Sequence, residues 1–386
     1  MTQSHISRRK FLSSSACAIG ISSNAIATAF QLGLANAAMA DTNSEVKDYK
    51  ALVCIFLHGG NDSFNMLIPA SPEEHKHYQK TRGEMALHLT ETGTDSLRAQ
   101  LLNSVDNTRI FAAHPAITEL RELYHQQKLA FLANVGTLVE PTTVLDYRRR
   151  SVKLPLSLFS HNDQRDQWHT AISQSRGTSG WIGRATELLL DANDARSLSA
   201  MFSFSGNNLL QTGHSVGPFS VSTNGGMSLK NPAAKLLLNQ SQSDNNLFDS
   251  VFTQNTNKSI EKNRQYEQII SRTPEIANSY PDSELARALK ATARSISARK
   301  QLGAQRQSFF VQTTGWDTHK NLLTNHHDKL QDLSRSMAAF QKSLDDLGIS
   351  ANVTTFTASE FGRTLVSNGR GTDHGWGGNT IIMGGR

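Results

Sequence analysis

The feature that most constrains the fold of this chain is an unbroken apolar run from Ala51 to Leu57, with the sequence ALVCIFL. A strand that is apolar at every position has no face suited to water. Both faces are therefore expected to be buried, as in a parallel sheet covered by helices. A glycine-rich turn at 58–63, HGGNDS, follows directly. Such turns let the backbone approach a ligand closely.

Strands and helices alternate along the rest of the chain. The sequence predicts a helix from His114 to about Gln127, followed directly by a buried strand from Leu129 to Val135. Further helices are predicted at 181–190, 283–302 and 322–347, and further strands at 201–205, 308–312, 352–357 and from 380 onward. This alternation predicts an α/β fold with a mostly parallel central sheet flanked by helices. Residues 206–247, rich in Asn, Ser and Gly, are predicted to form a loop-rich insertion.

The first 40 residues have the composition of an export signal. The segment SRRKFL at 7–12 pairs two arginines with an apolar stretch, and a weakly hydrophobic run continues to Leu34. Ala38-Met39-Ala40 has the small-x-small pattern that a signal peptidase recognises. We predict a twin-arginine signal peptide at 1–40, cleaved before Asp41, and a mature protein in the periplasm or secreted. A membrane anchor is disfavoured because serines and Gln31 interrupt the run, and no later segment is apolar enough to span a bilayer.

Charge and cysteine content argue against a nucleic-acid-binding protein and against a fold stabilised by an intramolecular disulfide. The formal net charge of +6 includes Arg8, Arg9 and Lys10 of the leader. The rest of the chain is therefore too weakly basic to predict nucleic-acid binding. Of the two cysteines, Cys17 lies in the leader, so Cys54 has no intramolecular disulfide partner. Because Cys54 lies within the first strand, we predict a buried structural thiol rather than a catalytic one.

Four polar clusters lie at or near the ends of predicted strands. They are His58/Asn61/Asp62, Asp317/His319, Glu360/Arg363 and Asp373/His374. In open α/β sheets ligands bind at the carboxyl ends of strands, so these clusters are expected to converge. In an extended segment Asp317 and His319 point the same way, and such a mixed set suits zinc, manganese or iron. A turn cap at Asp317 with a surface His319 is the simpler interpretation, as is a solvated turn for TDHGWGG at 372–378.

Other polar residues admit both a functional and a structural interpretation. His161 and Asp163, in the segment SHNDQ, are predicted to contact substrate or a metal, or to form a structural turn. His326 and His327 lie on a predicted helix and are expected to be solvated. Three consecutive arginines at 148–150 are expected to form a solvated face that could attract an anionic substrate.

The leader and five motifs together resemble a known family. The motifs are LHGGND at 57–62, FSHNDQ at 159–164, GWDTH at 315–319, SEFGRT at 359–364 and DHGWGG at 373–378. Across the whole mature chain the sequence resembles domain-of-unknown-function family 1501, which is similar to the alkaline phosphatase and sulfatase superfamily. The resemblance implies an alkaline-phosphatase-like fold over 41–386 and a divalent metal such as zinc, manganese or calcium. Because the family normally continues further, we expect a truncated C-terminus and an exposed edge at the last strand.

The resemblance also implies roles for individual residues. The implied metal ligands are Asp62, Asp317, His319, Glu360 and His374, and the expected substrate contacts are His58, Asn61, His161 and Asp163. Thr142 and Thr143 lie roughly where the superfamily has its nucleophile, although no sharp motif marks them. Arg363 could clamp a phosphate or sulfate with two hydrogen bonds.

Two departures from the superfamily pattern bear on the metal site. Asp317 and His319 are separated by one residue where the superfamily has three, and Phe361 stands where it has a ligand. One metal, or an altered pair, therefore fits better than a full two-metal site.

Three functions are compatible with these patterns. The first is an exported metal-dependent hydrolase of phosphate or sulfate esters, which acts on a small anionic ester and meets the twin-arginine translocase during export. The second is a non-catalytic relative that binds an envelope glycan, lipid or protein, and the altered motifs favour it. The third is a metal-dependent phosphomutase or transferase.

Replacing Arg8 and Arg9 by lysine is expected to hold the precursor in the cytoplasm, because the arginine pair defines the export route. Cell fractionation measures this, and N-terminal sequencing of the exported protein should find Asp41. The control Lys10→Arg keeps the charge and the pair, and should be exported normally. Normal export of the double variant would contradict the twin-arginine assignment.

Overall fold

The computed structural model describes residues 49–88, 101–104, 108–194, 197–223 and 247–384, with only the backbone at 247–250 and 252. The predicted leader at 1–40 lies outside the described residues, as does most of the predicted insertion, from 224 to 246. Within the described ranges, no helix combines the length and apolarity needed to cross a membrane.

The described residues form twelve strands and nine α-helices. The strands are β1 Lys50–Leu57, β2 Leu67–Pro69, β3 Leu101–Asn103, β4 Ile110–Ala113, β5 Leu129–Gly136, β6 Met201–Ser203, β7 Phe219–Ser220, β8 Arg306–Thr313, β9 Val353–Ala358, β10 Gly362–Ser367, β11 Thr372–Gly375 and β12 Gly377–Met383. The helices are α1 Ser63–Met66, α2 Pro72–Arg82, α3 Thr118–His125, α4 Val144–Arg149, α5 His161–Thr170, α6 Trp181–Glu187, α7 Leu247–Arg272, α8 Glu284–Ser297 and α9 Leu322–Asp346.

Seven strands form the central sheet, in the order β5-β12-β9-β1-β8-β6-β7. The five strands from β9 to β7 run parallel, and β12 is antiparallel to both of its neighbours. The predicted α/β fold with a mostly parallel sheet flanked by helices is therefore confirmed. The register pairs Leu57 with Thr313 and Phe56 with Ala358, so β8, β1 and β9 end side by side.

Strand β1 is buried on both faces, as its apolar run predicts. Val53 and Ile55 pack into one hydrophobic core, to which α8 and α9 contribute. Cys54 and Phe56 point the other way, into a second core with Ile182 of α6. Burial raises the pKa of the Cys54 thiol, which therefore stays protonated and serves as an apolar side chain.

Two predictions about the ends of elements are corrected. The last strand does not form an exposed edge, because β12 is hydrogen-bonded to β5 on one side and β9 on the other. The helix expected from His114 begins instead as a 3₁₀ turn at Pro115–Ile117, and α3 follows it.

Two small sheets accompany the central one. Strands β2, β4 and β3 form an antiparallel sheet, and β10 and β11 form a hairpin that pairs Arg363 with His374. The hairpin follows directly from β9 and leads into β12. It therefore connects two adjacent strands of the central sheet and lies at the end where β9 finishes.

A buried ion pair ties the turn after β1 to α2 and the hairpin. The guanidinium of Arg82 bonds the carboxylate of Asp62, and both side chains are fully buried. Its Nη1 also donates to the carbonyl oxygen of Thr364 in β10, at 3.0 Å. Breaking such a pair by removing one partner leaves an uncompensated charge in the interior.

The variant Arg82→Met is expected to lower the free energy of unfolding by about 3–5 kcal/mol, because Asp62 would lose its counter-charge. Urea denaturation of the mature protein at neutral pH measures this loss. Adding Asp62→Asn removes the stranded charge and should recover much of the stability. The control Lys80→Met, at an exposed position of α2, should change the stability little. A single variant as stable as wild type would show that the pair is unimportant.

Candidate metal centre

Four candidate ligands come from three separate parts of the fold. His161 is the first residue of α5, and Asp317 and His319 lie in the loop after β8. His374 lies on β11 of the hairpin. Since β8 is flanked by β1, and β1 by β9, their carboxyl ends bring these segments to one edge of the sheet, as the sequence predicts.

Asp317 lies at the centre of this cluster. Its Oδ1 is 3.1 Å from Nε2 of His319 and 3.4 Å from Nε2 of His374. Its Oδ2 is 3.6 Å from Nε2 of His161. One ligand atom each from His161, Asp317 and His374 lies within 4.8 Å of the other two. Nε2 of His319 lies beside this group, next to Asp317 and His374.

Each of the three imidazole rings makes a hydrogen bond through its other nitrogen, Nδ1, which fixes the orientation of the ring. The partners of Nδ1 are Oε1 of Glu360 for His161 at 2.8 Å, Oδ1 of Asp373 for His319 at 3.0 Å, and the carbonyl oxygen of Phe159 for His374 at 2.7 Å. Carboxylates and carbonyls only accept hydrogen bonds, so each Nδ1 carries the hydrogen. Nε2 of each neutral ring then presents a lone pair to the cluster. Metal-binding histidines are oriented in this way.

The contact between His319 and His374 requires a positive charge. Their Nε2 atoms lie 3.0 Å apart, and in neutral rings both would be lone pairs with no hydrogen between them. Either a proton on one ring or a cation between the rings relieves this repulsion. Burial lowers the pKa of His374, which disfavours the proton on that ring. His319 lies between the carboxylates of Asp317 and Asp373, so it is the ring better placed to hold a proton. The donor set also fits a metal ion, with Asp317 as the anionic ligand.

Glu360 supports His161 from the interior. Its side chain is fully buried, and Oε1 accepts the backbone N–H of Gly59 at 2.8 Å as well as the bond from His161. Nδ1 of His58 lies 3.2 Å from the same oxygen. Burial alone would raise the pKa of Glu360, but the interactions with His58 and His161 outweigh it and lower that pKa. Glu360, predicted to be a metal ligand, therefore contacts the candidate ligand His161 from the protein interior.

Gly59 is the point of closest approach between the turn after β1 and the loop after β8. Its φ of +128° is rarely available to other residues, and a Cβ there would lie 2.3 Å from the backbone nitrogen of Asp317. The N–H of Gly59 donates to Oε1 of Glu360, and the carbonyl oxygen of Gly59 accepts a hydrogen bond from Nη1 of Arg363 at 3.3 Å. A glycine is therefore required for both loops to form the site.

Arg363 holds Asp317 in place. Its Nη1 donates to Oδ1 of Asp317 at 2.7 Å, and Nε donates to Oγ1 of Thr372 at 3.2 Å. Partial burial would raise the pKa of Asp317, but this bond and the charge of Arg363 lower it, so the carboxylate stays ionised. Because Nη2 also bonds the carbonyl of Thr372, all three guanidinium nitrogens already contact protein atoms. The role of an anion clamp stays a prediction.

Several predicted site residues lie outside the cluster. Asp62, a predicted ligand, is paired with Arg82. Asn61 is buried, and its Oδ1 accepts from Nε2 of His326 at 2.9 Å. The prediction that His326 is solvated is wrong, because the ring is only 2% exposed and packs near Trp316. Asp163 accepts from Oγ of Ser160 at 2.8 Å and stabilises the start of α5.

The two threonines predicted near the nucleophile position have structural partners. Thr143 caps α4: its Oγ1 accepts the N–H of Asp146, whose carboxylate accepts the N–H of Thr143 in return. Oγ1 of Thr142 donates to the carbonyl of Glu140 at 2.8 Å. Both threonines line a cavity that also contacts His374. The three arginines at 148–150 are exposed, as predicted.

Two supports of the cluster are not identifiable from the sequence. The sequence marks Asp373 only as part of a polar pair, yet its carboxylate orients His319. No sequence pattern indicates the Phe159 carbonyl, because its position follows from a left-handed backbone with φ of 71°. His161, predicted to contact substrate or a metal or to form a structural turn, lies among the candidate ligands, and Ser160 as an N-cap indicates that a helix starts there.

Comparison with known proteins places the chain in a family. The profile of the family described as "Protein of unknown function (DUF1501)" matches residues 49–386. No curated protein and no solved structure gives a significant match. The matched span contains all four candidate ligands and the sheet that positions them. The chain therefore belongs to the DUF1501 family of proteins of unknown function.

Proposed function

We propose that this protein is an exported, metal-dependent hydrolase of phosphate or sulfate esters with an alkaline-phosphatase-like fold. The proposed ligands are His161, Asp317, His319 and His374. One observation carries the proposal: three imidazoles direct Nε2 toward Asp317, with two of these nitrogens only 3.0 Å apart. A proton on one ring or a cation between the rings would relieve this contact, and three imidazoles with one carboxylate suit the cation.

The donor set favours particular metals. Three nitrogen donors and one carboxylate are typical of zinc, and they also suit manganese or iron. Calcium prefers six to eight oxygen donors, so it is the poorest fit among the ions that the sequence suggests. The acceptors behind the rings would keep each ligand nitrogen deprotonated and aimed at the ion.

The metal ion and individual residues would have separate roles in ester hydrolysis. A divalent ion bound here would lower the pKa of a water molecule and neutralise negative charge on the ester. Asp317, held by Arg363, fixes the position of the site. His58 lies beside Glu360, whose interaction raises the pKa of that histidine. In this proposal His58 would give a proton to the leaving oxygen.

The attacking oxygen is proposed to come from water. The Thr143 hydroxyl is engaged in capping α4, and Thr142 bonds the carbonyl of Glu140. This same observation favours the second candidate, a non-catalytic relative that binds an envelope glycan, lipid or protein. The two differ in one result: the relative would bind metal without cleaving 4-nitrophenyl phosphate or 4-nitrophenyl sulfate.

His319→Ala and His374→Ala are each expected to reduce bound metal to a small fraction of the wild-type content, since each removes a donor that the others cannot replace. Elemental analysis of mature protein purified without chelator or affinity tag measures this content. His77→Ala, at an exposed position of α2, is the matched control.

The wild type should also melt at a higher temperature when the metal is added, because a ligand present at 100 times its Kd stabilises the folded state by about 2.7 kcal/mol. Wild-type protein without stoichiometric metal, and without a thermal shift from zinc, manganese or calcium, would contradict the proposed function.

Glu360→Gln is expected to weaken metal binding about 10–100-fold, because an uncharged amide orients His161 less well than a carboxylate. Competition with a chromogenic chelator measures the affinity. The control Glu122→Gln removes a carboxylate from an exposed position of α3 and should bind metal like wild type. An unchanged metal affinity in Glu360→Gln would contradict the role of Glu360 in orienting His161.

A further inference from the structure

An apolar groove lies beside the candidate metal centre. Its cavity has a volume of about 370 Å³, within the range of pockets that bind small organic molecules. The apolar side chains lining it are Leu138, Val144, Tyr147, Leu154, Leu158 and Trp376. They come from the segment after β5, from α4, from the loop before α5 and from the turn between β11 and β12.

The groove borders the centre at His374. His374, whose Nε2 faces Asp317, is also part of the groove wall. Phe159, whose carbonyl oxygen holds His374 through Nδ1, is another lining residue. A molecule with one end at the cluster could therefore extend into the groove without leaving the protein surface.

The loop that forms one wall is held in a costly backbone conformation. Arg150, Ser157 and Phe159 have φ values of 53°, 46° and 71°, in the left-handed region that L-residues rarely adopt. Such positions persist where the surrounding structure fixes them, and they are frequent at functional sites. This backbone conformation contributes to both the candidate metal centre and the groove. It places the Phe159 carbonyl against His374 and the neighbouring Leu158 in the groove.

The groove exposes apolar surface next to positive charge. Val144 is 68% exposed and Tyr147 is 43% exposed. Arg148 follows Val144 by four residues, so both lie on one face of α4. With exposed arginines at 148–150, this rim is complementary to an anionic molecule that also carries an apolar group.

We infer that the groove binds the apolar group of the substrate, so that the substrate is a phosphate or sulfate ester of a hydrophobic alcohol. The inference rests on the proposed function, since the anionic end would lie at the metal centre. The chain residues divide recognition between them: the cluster binds the charged end, and Val144, Tyr147 and Trp376 contact the alkyl or aryl end.

Binding of two probes to the zinc-loaded mature protein tests this. Octylphosphonate and methylphosphonate carry the same anionic group and have no ester bond for the proposed hydrolase to cleave, so titration calorimetry gives both affinities. We expect octylphosphonate to bind at least about tenfold more tightly, because its chain removes apolar surface from water. Val144→Glu should abolish this preference and leave metal content unchanged. The control Val366→Glu, at a position of similar exposure (65%) outside the groove, should keep the preference.

The remaining outcomes separate the two ideas. Equal affinities for the two phosphonates, with metal bound, would overturn the groove assignment and leave the metal centre standing. A protein that holds no metal and binds neither phosphonate would overturn the proposed function and this inference with it. A concentration-dependent dimer that Val144→Glu dissociates would assign the groove to a second copy of the chain and overturn the inference.

Discussion

The structure depends on one constraint, which is that β1 must be buried on both faces. Its alternating side chains supply two separate cores, one shared with α8 and α9 and one shared with α6. A strand of this kind is stable only between other strands and under helices, so β8 and β9 flank it in parallel. Parallel neighbours end at the same edge. The polar loops that follow these strands are thereby brought together, although they lie far apart in the sequence.

Charges of alternating sign stabilise the loops once they meet. Glu360 is ionised in the interior because it accepts bonds from Gly59 and His161 and lies beside His58. Arg363 is buried against Oδ1 of Asp317, the same oxygen that lies nearest to His319 and His374. Each buried charge therefore has a partner of opposite sign, which the desolvation cost of burial requires.

The sequence predicts the fold better than it predicts the site. Apolar runs and caps locate the strands of the sheet and α9, because periodicity reports burial directly. The sequence indicates the candidate ligands Asp317, His319 and His374 because each lies near a strand end. The sequence does not locate Asp62 and Glu360 correctly relative to the cluster. Whether a carboxylate faces the cluster depends on its tertiary partner, which is Arg82 for Asp62 and His161 for Glu360. The burial of His326 was missed for the same reason, since its partner Asn61 lies 265 positions away.

The origin of the ligands connects the proposed site to the proposed route of export. His161 comes from the start of α5, Asp317 and His319 from the loop after β8, and His374 from a hairpin near the end of the matched region. No two of these segments are close until the sheet has formed, so the complete site exists only in the folded chain. Metal binding at such a site is coupled to folding. The twin-arginine leader that the sequence predicts would direct a folded protein to export, so the proposed metal would be bound before the chain crosses the membrane.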